Sequence, residues 1–438
     1  MAEIMWRTLY NCLLPVGFAG FLPGLLWKYH YRGGWKKTFA ERFGRFTPER
    51  VEELRAFHGA VWIHSVSVGE TVAALSLIRA WSAANPQRKF VISTTTTTGQ
   101  EIARKAALPG VTVIFCPIDF PKWVRQTFDV VQPAMLAIFE TEIWPNLLCE
   151  AESRKVPAVL LNARMSDHSV KGYYRFRCFF RPLLEKFTLI AAQSEQDGER
   201  FRKVSPQAHV EVFGNVKFDQ SVPENLQPVD FHAYFQTDDP VILMGASTHP
   251  GEEALLISAY TGLKKTFPAL KLVLVPRHAE RGGEVASLLD QTSLRYVRRS
   301  LGQIPGEPVD VVLADTTGEM LALMKGADLI VMGKSLAGQT GGHNPIEPAL
   351  LDKPVVCGAK MTNFRFVQNV LREAGAVVEA ESDAALVPLL MPLIASAESR
   401  RELGLRAGAA IRKHAGAIRR IIDRLEILSA DAAKKTEL

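Results

Sequence analysis

The sequence predicts an α/β protein with two doubly wound domains, each built on a parallel sheet. Short apolar and β-branched runs recur along the 438 residues, and segments of helical length separate them. Several runs are nearly continuous hydrophobic strings, as is typical of parallel strands that helices cover on both faces. The alternation stops once, at a proline-containing stretch, and then restarts. We therefore expect one domain on each side of that stretch.

The predicted strands of the first half are Val61–Val66, Phe90–Thr96, Val111–Pro117, Met135–Glu140, Ala158–Ala163, Leu189–Ser194 and Val210–Asn215. Those of the second half are Val241–Ser247, Leu270–Pro276, Val311–Asp315, Leu329–Met332 and Pro354–Gly358. Helical segments such as Thr71–Ala84 and Pro121–Gln132 connect them. The tail from Arg400 to Ile427 is predicted to be helical and amphipathic, with fraying after about Ser429.

These patterns place the domain boundaries. We predict a hydrophobic segment at 1–30, an N-terminal domain at 31–220, a linker at 221–240, a C-terminal domain at 241–415, and a C-terminal helix and tail at 416–438. The linker is predicted because Pro223, Pro228 and Pro240 fall in a stretch with little periodicity.

Composition excludes several classes of protein. Apolar residues make up 47% and charged residues 22%, as in globular proteins. The five cysteines are scattered and no C-x-x-C occurs, which excludes a disulfide scaffold and zinc-finger spacing. The net charge of +6 is modest, but basic residues concentrate in 28–45 and in the basic-aromatic stretch 171–181. Either stretch suits anionic lipid, an acidic substrate or nucleic acid, and a solvated helix face is the alternative.

The N-terminal segment has three possible structures. Thr8 to Trp27 carries no charge over 20 residues, about the length that spans a bilayer. Prolines and glycines interrupt it, at Pro15, Gly17, Gly20, Pro23 and Gly24. It can span the membrane, lie in the interface beside the basic stretch that follows, or form a buried helical hairpin. Both membrane structures place the protein on the cytoplasmic membrane face.

Loops after the strands are expected to carry the chemistry, because open α/β sheets bind ligands beyond the carboxyl ends of their strands. Carboxylates concentrate in these loops in the first half, whereas arginine, histidine and glycine concentrate in the second half. This asymmetry favours a base on the first domain and a nucleotide on the second. Helix capping is the alternative for Ser67 to Glu70, an S-x-x-E box, and for Asn344 to Glu347, with Pro345 at the first helical position.

Several familiar motifs are absent. No G-x-G-x-x-G follows a strand, and neither G-x-S-x-G nor H-E-x-x-H occurs. Gly333-Lys334-Ser335 imitates the end of a Walker A loop, but Gly326 lies too far upstream for that motif. The absence of D-x-D and of histidine pairs at helical spacing predicts no metal site.

The loop motifs, taken in order, resemble those of the 3-deoxy-D-manno-octulosonic acid (Kdo) transferase family over about residues 5–425. They are H-S-V-S-V-G-E, E-T-E-I-W-P-N, N-A-R-M-S, A-A-Q-S-E-Q-D-G-x-R-F, G-N-V-K-F-D, S-T-H-P-G-E-E, V-P-R-H and G-G-H-N-P-I-E. The resemblance implies a GT-B fold, in which two Rossmann-like domains face a central cleft. The N-terminal domain then binds the acceptor, the C-terminal domain binds the CMP-sugar, and the N-terminal segment anchors the protein to the membrane.

The resemblance also implies the reaction, an inverting and metal-independent transfer of Kdo from CMP-Kdo to the lipid A precursor (lipid IVA) in lipopolysaccharide core biosynthesis. Neither a cofactor nor a nucleic-acid partner is expected. The protein would act at the cytoplasmic face of the bacterial inner membrane. The alternatives are another GT-B nucleotide-sugar transferase or epimerase, and a non-enzymatic lipid- or RNA-binding module. The sequence contains neither an RNA-binding motif nor a continuous basic stripe, which argues against the lipid- or RNA-binding module.

Roles carry over from the family residue by residue. Glu70 matches the general base, and Glu140 and Lys217 match groups that stabilise the transition state. The residues that match CMP-binding loops are Pro276, Arg277, Thr317, Gly318, Glu319, Asn344, Pro345, Ile346 and Glu347. In this chain Gly333-Lys334-Ser335 stands where the family often has Gly-Gly-Ser, and the following loop looks one residue longer.

Overall fold

A computed structural model describes residues 2–32, 39–302 and 304–437 of the chain. The side chains of 2–5, 21–23, 25–32, 39 and 432–437 lie outside that description. The chain divides into two compact units, one of Met1–Asp219 with Ala415–Leu438, and one of Gln220–His414. We call them unit 1 and unit 2. Among the described residues, each contains a seven-stranded parallel sheet.

The strands of unit 1 are β1 (Val61–Ser65), β2 (Phe90–Thr94), β3 (Val111–Phe115), β4 (Met135–Phe139), β5 (Ala158–Ala163), β6 (Phe187–Ala192) and β7 (Val210–Val212). Their order is β3-β2-β1-β4-β5-β6-β7. The order reverses at β1, where Val61 pairs with Phe90 of β2 on one side and with Met135 of β4 on the other. This reversal makes the carboxyl ends of β1 and β4 the place where an open sheet binds ligands.

Helices cover both faces of this sheet: α1 (Ala2–Arg32), α2 (Pro48–Arg55), α3 (Val68–Ala84), α4 (Thr97–Lys105), α5 (Pro121–Val131), α6 (Pro145–Ser153), α7 (Asp167–Arg175), α8 (Arg177–Leu184) and α9 (Glu195–Val204). Short 3-10 turns occupy Phe39–Phe43 and Val216–Asp219. Successive residues of β1 point to opposite faces, so Val61 and Ile63 enter one apolar cluster and Trp62 enters the other. The sheet is therefore buried on both sides, as the continuous apolar runs predict.

Unit 2 repeats this plan with β8 (Val241–Thr248), β9 (Leu270–Pro276), β10 (Tyr296–Arg298), β11 (Val311–Leu313), β12 (Leu329–Met332), β13 (Val355–Gly358) and β14 (Val378–Ala380). The order is β10-β11-β9-β8-β12-β13-β14, so it reverses at β8. The helices are α10 (His232–Phe235), α11 (Glu252–Leu263), α12 (Gly282–Leu289), α13 (Met320–Gly326), α14 (Ile346–Leu350), α15 (Arg365–Glu373), α16 (Leu386–Ala395) and α17 (Ala397–Lys413). Short 3-10 turns occupy Ala279–Arg281, Arg299–Leu301, Thr362–Phe364 and Asp383–Ala385.

The C-terminal helix, α18 (Ala417–Glu437), belongs to unit 1. Its apolar face, which includes Ile421 and Leu425, is buried in the same cluster as β1 and α3. The predicted helical structure from Arg400 to Ile427 is confirmed as two helices, because Gly416 adopts a φ of +91° and separates α17 from α18. The predicted fraying after Ser429 is wrong, since the helix continues to Glu437.

Residues 221–240, the predicted linker, lie within unit 2 in the structure. The Val229 N–H group donates to the carbonyl of Ala322 over 3.0 Å, and Phe231 and Phe235 are buried. These prolines therefore belong to a packed segment. Gly318 and Glu319 precede α13 as expected, with Glu319 at the N-cap.

The N-terminal segment forms one continuous helix, α1, so the hairpin alternative is wrong. Among the described residues, no helix combines the length and the apolar character that crossing a bilayer requires. One face of α1 packs on unit 1, where the Phe18 ring meets Phe43, Phe120 and Trp123 edge-on. The opposite face exposes Leu9, Leu13 and Val16, which are 45%, 59% and 72% accessible.

Candidate functional site

Two carboxylates that the sequence singles out follow the two strands at the reversal point of the first sheet. Glu140 comes directly after β4, and Glu70 lies in the first turn of α3, which follows β1. Because β1 and β4 are adjacent parallel strands, their loops share one edge of the sheet. Glu140 holds a φ of +57°, a backbone conformation that non-glycine residues adopt at a cost and that concentrates at functional sites.

Glu70 takes part in the cap of α3 with one carboxylate oxygen and leaves the other available. Its backbone N–H donates to the hydroxyl of Ser67, and its Oε2 accepts the Val66 N–H over 2.7 Å. The predicted capping interaction of Ser67 is therefore confirmed. Among the described residues no donor meets Oε1 of Glu70, although the residue is only 7% exposed. Capping thus orients the carboxylate and leaves one oxygen for a substrate.

Lys217 lies beside Glu140, with 3.9 Å between its Nζ and Oε1 of the glutamate. Burial raises the pKa of Glu140, the Lys217 charge lowers it, and the Glu70 charge raises it again. These couplings bring the three residues of unit 1 that the family resemblance identifies into one electrostatic group. The group combines two carboxylates with one ammonium in a half-buried setting.

Three buried amide side chains position the turn that carries Lys217. Asn215 donates to Oε1 of Gln193 over 2.9 Å, and Gln193 donates to the carbonyl of Asn162 over 2.8 Å. Asn162 Oδ1 accepts the Val216 N–H, which closes the network. Each amide comes from a different loop motif of the sequence, so the motifs N-A-R, A-A-Q-S and G-N-V-K meet here. Among the described residues Asn162 Nδ2 has no partner, but the other bonds of this buried network hold the turn of Lys217 in place.

Glu142, the second acid of E-T-E, is a residue that sequence reasoning passed over. Burial, and then the charges of Glu70 and Glu140, raise the pKa of Glu142 to about 7. A carboxylic acid with a pKa near neutrality can exchange protons at working pH. The signal available in the sequence was only that two acids stand two residues apart after a strand.

Unit 2 brings part of its predicted set together at the reversal point of its own sheet. Pro276 ends β9, and the Arg277 N–H donates to the carbonyl of Thr248 at the end of β8. The Arg277 side chain is exposed. Burial raises the pKa of Glu347, whereas the Asn344 hydrogen bond and the Arg277 charge lower it. Arg277, Asn344 and Glu347 therefore act on one another.

The loop before α14 is organised by Asn344. Its Nδ2 donates to Gln220 and to Glu347, and its Oδ1 accepts the Ile346 N–H over 3.2 Å. The helix begins at Ile346, so Pro345 is the N-cap and not the first helical residue as predicted. The difference arises because Asn344 bonds two residues ahead, in an Asx-type turn, instead of capping a full helical turn.

Thr317, Gly318 and Glu319 follow β11, the neighbour of β9. Thr317 and Gly318 are exposed, and Gly318 has a φ of +86°, which favours glycine. Glu319 is held by a bidentate ion pair to Arg299 and by the hydroxyl of Thr316. The Arg299 hydrogen bonds hold the pKa of Glu319 below its ordinary value. Its carboxylate is thus fixed and ionised.

The Gly333-Lys334-Ser335 turn encloses a carboxylate of the protein itself. Glu252 accepts the backbone N–H groups of Lys334, Ser335 and Leu336 over 2.7–2.9 Å. In a P-loop such converging amides cradle a phosphate. Here they are satisfied by Glu252, which is 1% exposed, so the resemblance to a Walker A loop does not extend to its chemistry.

The structure also places the metal-ligating side chains and part of the basic stretch 28–45. The described part of the chain contains no cluster of three or more His, Cys, Asp or Glu residues arranged for a metal. Within 28–45, Arg42 is buried and its guanidinium donates to the Thr95 carbonyl over 2.5 Å, so it does not join a solvated basic face. Lys36 and Lys37, with the side chains of Lys28 and Arg32, lie outside the described residues.

Comparison with known proteins decides the family. Residues 37–220 match the family described as 3-deoxy-D-manno-octulosonic-acid transferase (kdotransferase). The transferase of that name from Haemophilus influenzae is 32% identical over 431 residues, which are 96% of this chain and 98% of that relative. The chain belongs to the Kdo transferase family. The Bordetella pertussis transferase, at 33% identity, covers 96% of this chain and 99% of its own length.

The Kdo transferase chain is therefore an enzyme, a glycosyltransferase that serves lipopolysaccharide synthesis by transferring Kdo. Its fold resembles that of the UDP-GlcNAc 2-epimerase from Neisseria meningitidis, solved with UDP-GlcNAc, with a TM-score of 0.56 and 14% identity. That likeness covers 84% of this chain and 99% of the epimerase chain. Together with the two parallel sheets, it confirms the GT-B fold that the sequence predicts.

Proposed function

We propose that this Kdo transferase moves Kdo from CMP-Kdo to lipid IVA, with inversion at the anomeric carbon and without a metal ion. The observation that carries the proposal is the group of Glu70, Glu140 and Lys217 at the reversal point of the unit 1 sheet. An acceptor hydroxyl is a weak nucleophile and needs a carboxylate to take its proton. Glu70 offers an oxygen for that purpose, on a side chain that its cap holds in place.

In the proposed reaction, one bond to the anomeric carbon of Kdo forms while another breaks. The acceptor oxygen forms a bond to the anomeric carbon of Kdo while its proton moves to Oε1 of Glu70. The bond from that carbon to the CMP phosphate breaks, and the electron pair leaves with CMP. Attack on the face opposite the leaving group inverts the configuration. We propose that Glu140 stabilises the positive character of the sugar and that Lys217 balances the negative charge.

Unit 2 is proposed to bind the CMP part of the donor. Arg277 is exposed and carries a charge suited to a phosphate, and a guanidinium can contact two phosphate oxygens at once. CMP leaves as a monophosphate, so we propose that side-chain cations balance its charge. The other proposed contacts are Pro276, Thr317, Gly318, Glu319, Asn344, Pro345, Ile346 and Glu347.

The acceptor and the membrane are proposed to meet unit 1 along α1 and the α7–α8 pair. The α1 helix packs beside α8, because the half-buried Tyr10 ring lies 6.1 Å from that of Phe179. On α7 and α8 the exposed residues alternate between basic and aromatic: Tyr174, Arg175, Phe176 and Arg177. Such a surface suits phosphorylated, acylated lipid at the cytoplasmic face of the inner membrane. We propose that α1 anchors the protein there by lying in the interface.

Product analysis tests the reaction. The purified enzyme is incubated with CMP-Kdo and lipid IVA, with and without EDTA, and the lipid is analysed by mass spectrometry and NMR. We expect the mass of added Kdo, the inverted anomer and equal rates in EDTA. Turnover of a UDP-sugar without turnover of CMP-Kdo would contradict the donor, and a loss of rate in EDTA would contradict metal independence.

Vesicle flotation tests the membrane surface. The variant replaces the three exposed apolar residues of α1 by serine: Leu9, Leu13 and Val16. The matched control makes the same change at three exposed apolar residues of unit 2: Leu301, Ile304 and Leu405. We expect the α1 variant to float less with vesicles that contain anionic lipid, and the control to float like the wild type. Equal flotation of all three proteins would contradict the interfacial anchor.

A further inference from the structure

Imidazole and basic side chains gather at the reversal point of the unit 2 sheet. His249 directly follows β8, and His343 lies in the glycine-rich loop before α14. Their Nε2 atoms are 2.9 Å apart, and their rings are nearly parallel, at an angle of 15° with centroids 5.1 Å apart, so the two Nε2 edges face each other. Lys334 follows β12, so the cluster draws on both strands that flank the reversal. This is where a doubly wound sheet binds its ligand.

The nearby carboxylates are already used. Glu253 and Glu284 both pair with Arg281, at 2.7 and 2.8 Å. Glu252 accepts the His249 N–H as well as the amides of the Lys334 turn. Those three acids are therefore committed to groups of the protein.

The cations beside the histidines are uncompensated. Within the described part of the chain, the side chains of Arg277 and Lys334 donate to no acceptor and form no ion pair. The carboxylate that acts on Arg277 from nearby is Glu347, whose own pKa is raised by burial. The reversal point thus carries an excess of positive charge that an anion would satisfy.

We infer that His249, His343 and Lys334 form an anion subsite of the donor half-site, and that the histidine pair takes up a proton when the anion binds. The inference rests on the proposed function, because the anion is then an oxyanion of the CMP-activated sugar, either its phosphate or its carboxylate. The three side chains act as binding groups and complement Arg277.

The proton uptake follows from the hydrogen bond between the rings. Two imidazoles joined through their Nε2 atoms share one proton, so one ring is the donor and the other the acceptor. While both rings are neutral, only the acceptor ring carries a proton on Nδ1, and the pair offers a single N–H group to an anion. One additional proton, on the Nδ1 of the donor ring, would make both Nδ1 atoms donors.

Burial, and then neighbouring charges, lower the pKa values of the two histidines and favour the neutral pair. Burial, then the charges of Arg277, His249, Lys334 and His278, lower the pKa of His343 to about 4. Burial likewise lowers the pKa of His249, with Lys334, His278 and Arg281 acting in the same direction and Glu252 opposing them. A bound anion offsets these cations and raises the pKa of the pair. At neutral pH, binding is therefore expected to draw up to one proton from solution.

Lys334 supplies a clean variant for the test. Its φ of +62° is one that glycine adopts without strain, so Lys334→Gly removes the charge and relaxes the backbone. His343→Gln removes the ring while keeping a polar side chain. His209→Gln is the matched control, since His209 is an exposed histidine of unit 1 paired with Glu211.

Calorimetry with CMP, repeated at one pH in buffers of different ionisation enthalpy, measures both affinity and proton uptake. We expect the wild type to take up a fraction of a proton, His343→Gln to take up none, and His343→Gln and Lys334→Gly each to bind about tenfold more weakly. His209→Gln should match the wild type. Steady-state kinetics with CMP-Kdo and thermal melts of every variant accompany the titrations.

The outcomes separate the sources of the anion. Weaker CMP binding in both variants supports a phosphate subsite. Unchanged CMP binding with a roughly tenfold higher KM for CMP-Kdo supports a carboxylate subsite. Wild-type values for CMP binding, proton uptake and KM in folded variants would overturn the inference and leave the proposed donor intact. If the wild type bound no CMP at all, the proposed donor itself would fail, and this subsite with it.

Discussion

Replacing Glu70 by glutamine separates the capping contact of this side chain from its proposed role as general base. The amide oxygen of glutamine can still accept the Val66 N–H, a 2.7 Å bond in the structure, so the start of α3 stays capped. The amide cannot take a proton from an acceptor hydroxyl. General-base catalysis contributes about 10²- to 10⁴-fold to the rate, and we expect kcat to fall by that factor. The free energy of unfolding should change by less than about 0.5 kcal/mol.

Ser67→Ala is the matched control, because it weakens the cap and keeps the carboxylate. Its hydroxyl accepts the Glu70 N–H at 3.3 Å, and losing an N-cap of this kind costs about 0.5–2 kcal/mol. The assay pairs initial rates at saturating CMP-Kdo and lipid IVA with urea unfolding at the same pH. The alanine variant should lose stability and keep most of its kcat, the reverse of Glu70→Gln. Near-normal turnover in Glu70→Gln, or equal losses of kcat in both variants, would refute the role of base.

Three other predictions concern charge and packing in unit 1. Lys217→Met removes the cation 3.9 Å from Glu140, and steady-state kinetics should show kcat lower by about 10²-fold; an unchanged kcat would contradict its role. The pKa of Glu142 is about 7 in the folded protein, so its ionisation lowers the free energy of unfolding as the pH rises from about 4.5 to 7. Glu142→Gln should therefore raise the free energy of unfolding at pH 8, by at most about 3 kcal/mol. At pH 4.5 the variant should match the wild type. Urea unfolding that shows no such pH-dependent difference would contradict that environment. Leu425→Ala, at a fully buried position of α18, should lower the free energy of unfolding in urea by about 2–5 kcal/mol. The control Ile427→Ala, at a position 53% exposed, should lower it by less than about 0.5 kcal/mol. Equal losses would show that α18 does not complete the core.

Long buried strands could be predicted from the sequence because their signal is local. The bounds of β5 and β9 coincide with the predicted ranges, since a parallel strand covered on both faces is a nearly continuous apolar run, interrupted here only by Asn162 in β5 and Lys271 in β9. The strands β10 and β14 were not predicted. Each has three residues at a sheet edge, and the residues of β10 are only half-buried, so no apolar run marks it. The break before α18 depends on one glycine φ, which periodicity does not report.

The loops that form the candidate site could be predicted from the sequence, but the burial and contacts of their side chains could not. Strand ends and family motifs identify Glu70, Glu140 and Arg277. The high pKa of Glu142 depends on burial beside two other carboxylates, and the contact of His249 with His343 joins residues 94 positions apart. Both depend on tertiary packing, which single-sequence patterns do not encode.

The return of α18 to the first unit bears on how the protein is made. Ribosomes deliver the amino-terminal part of a chain first, and domains commonly fold as they emerge. Here the apolar patch of unit 1 that receives Ile421 and Leu425 stays uncovered until α18 leaves the exit tunnel. A nascent chain halted after residue 414 would expose that patch to chaperones and to aggregation. A recombinant version of unit 1 would accordingly need α18 fused to its C-terminal end.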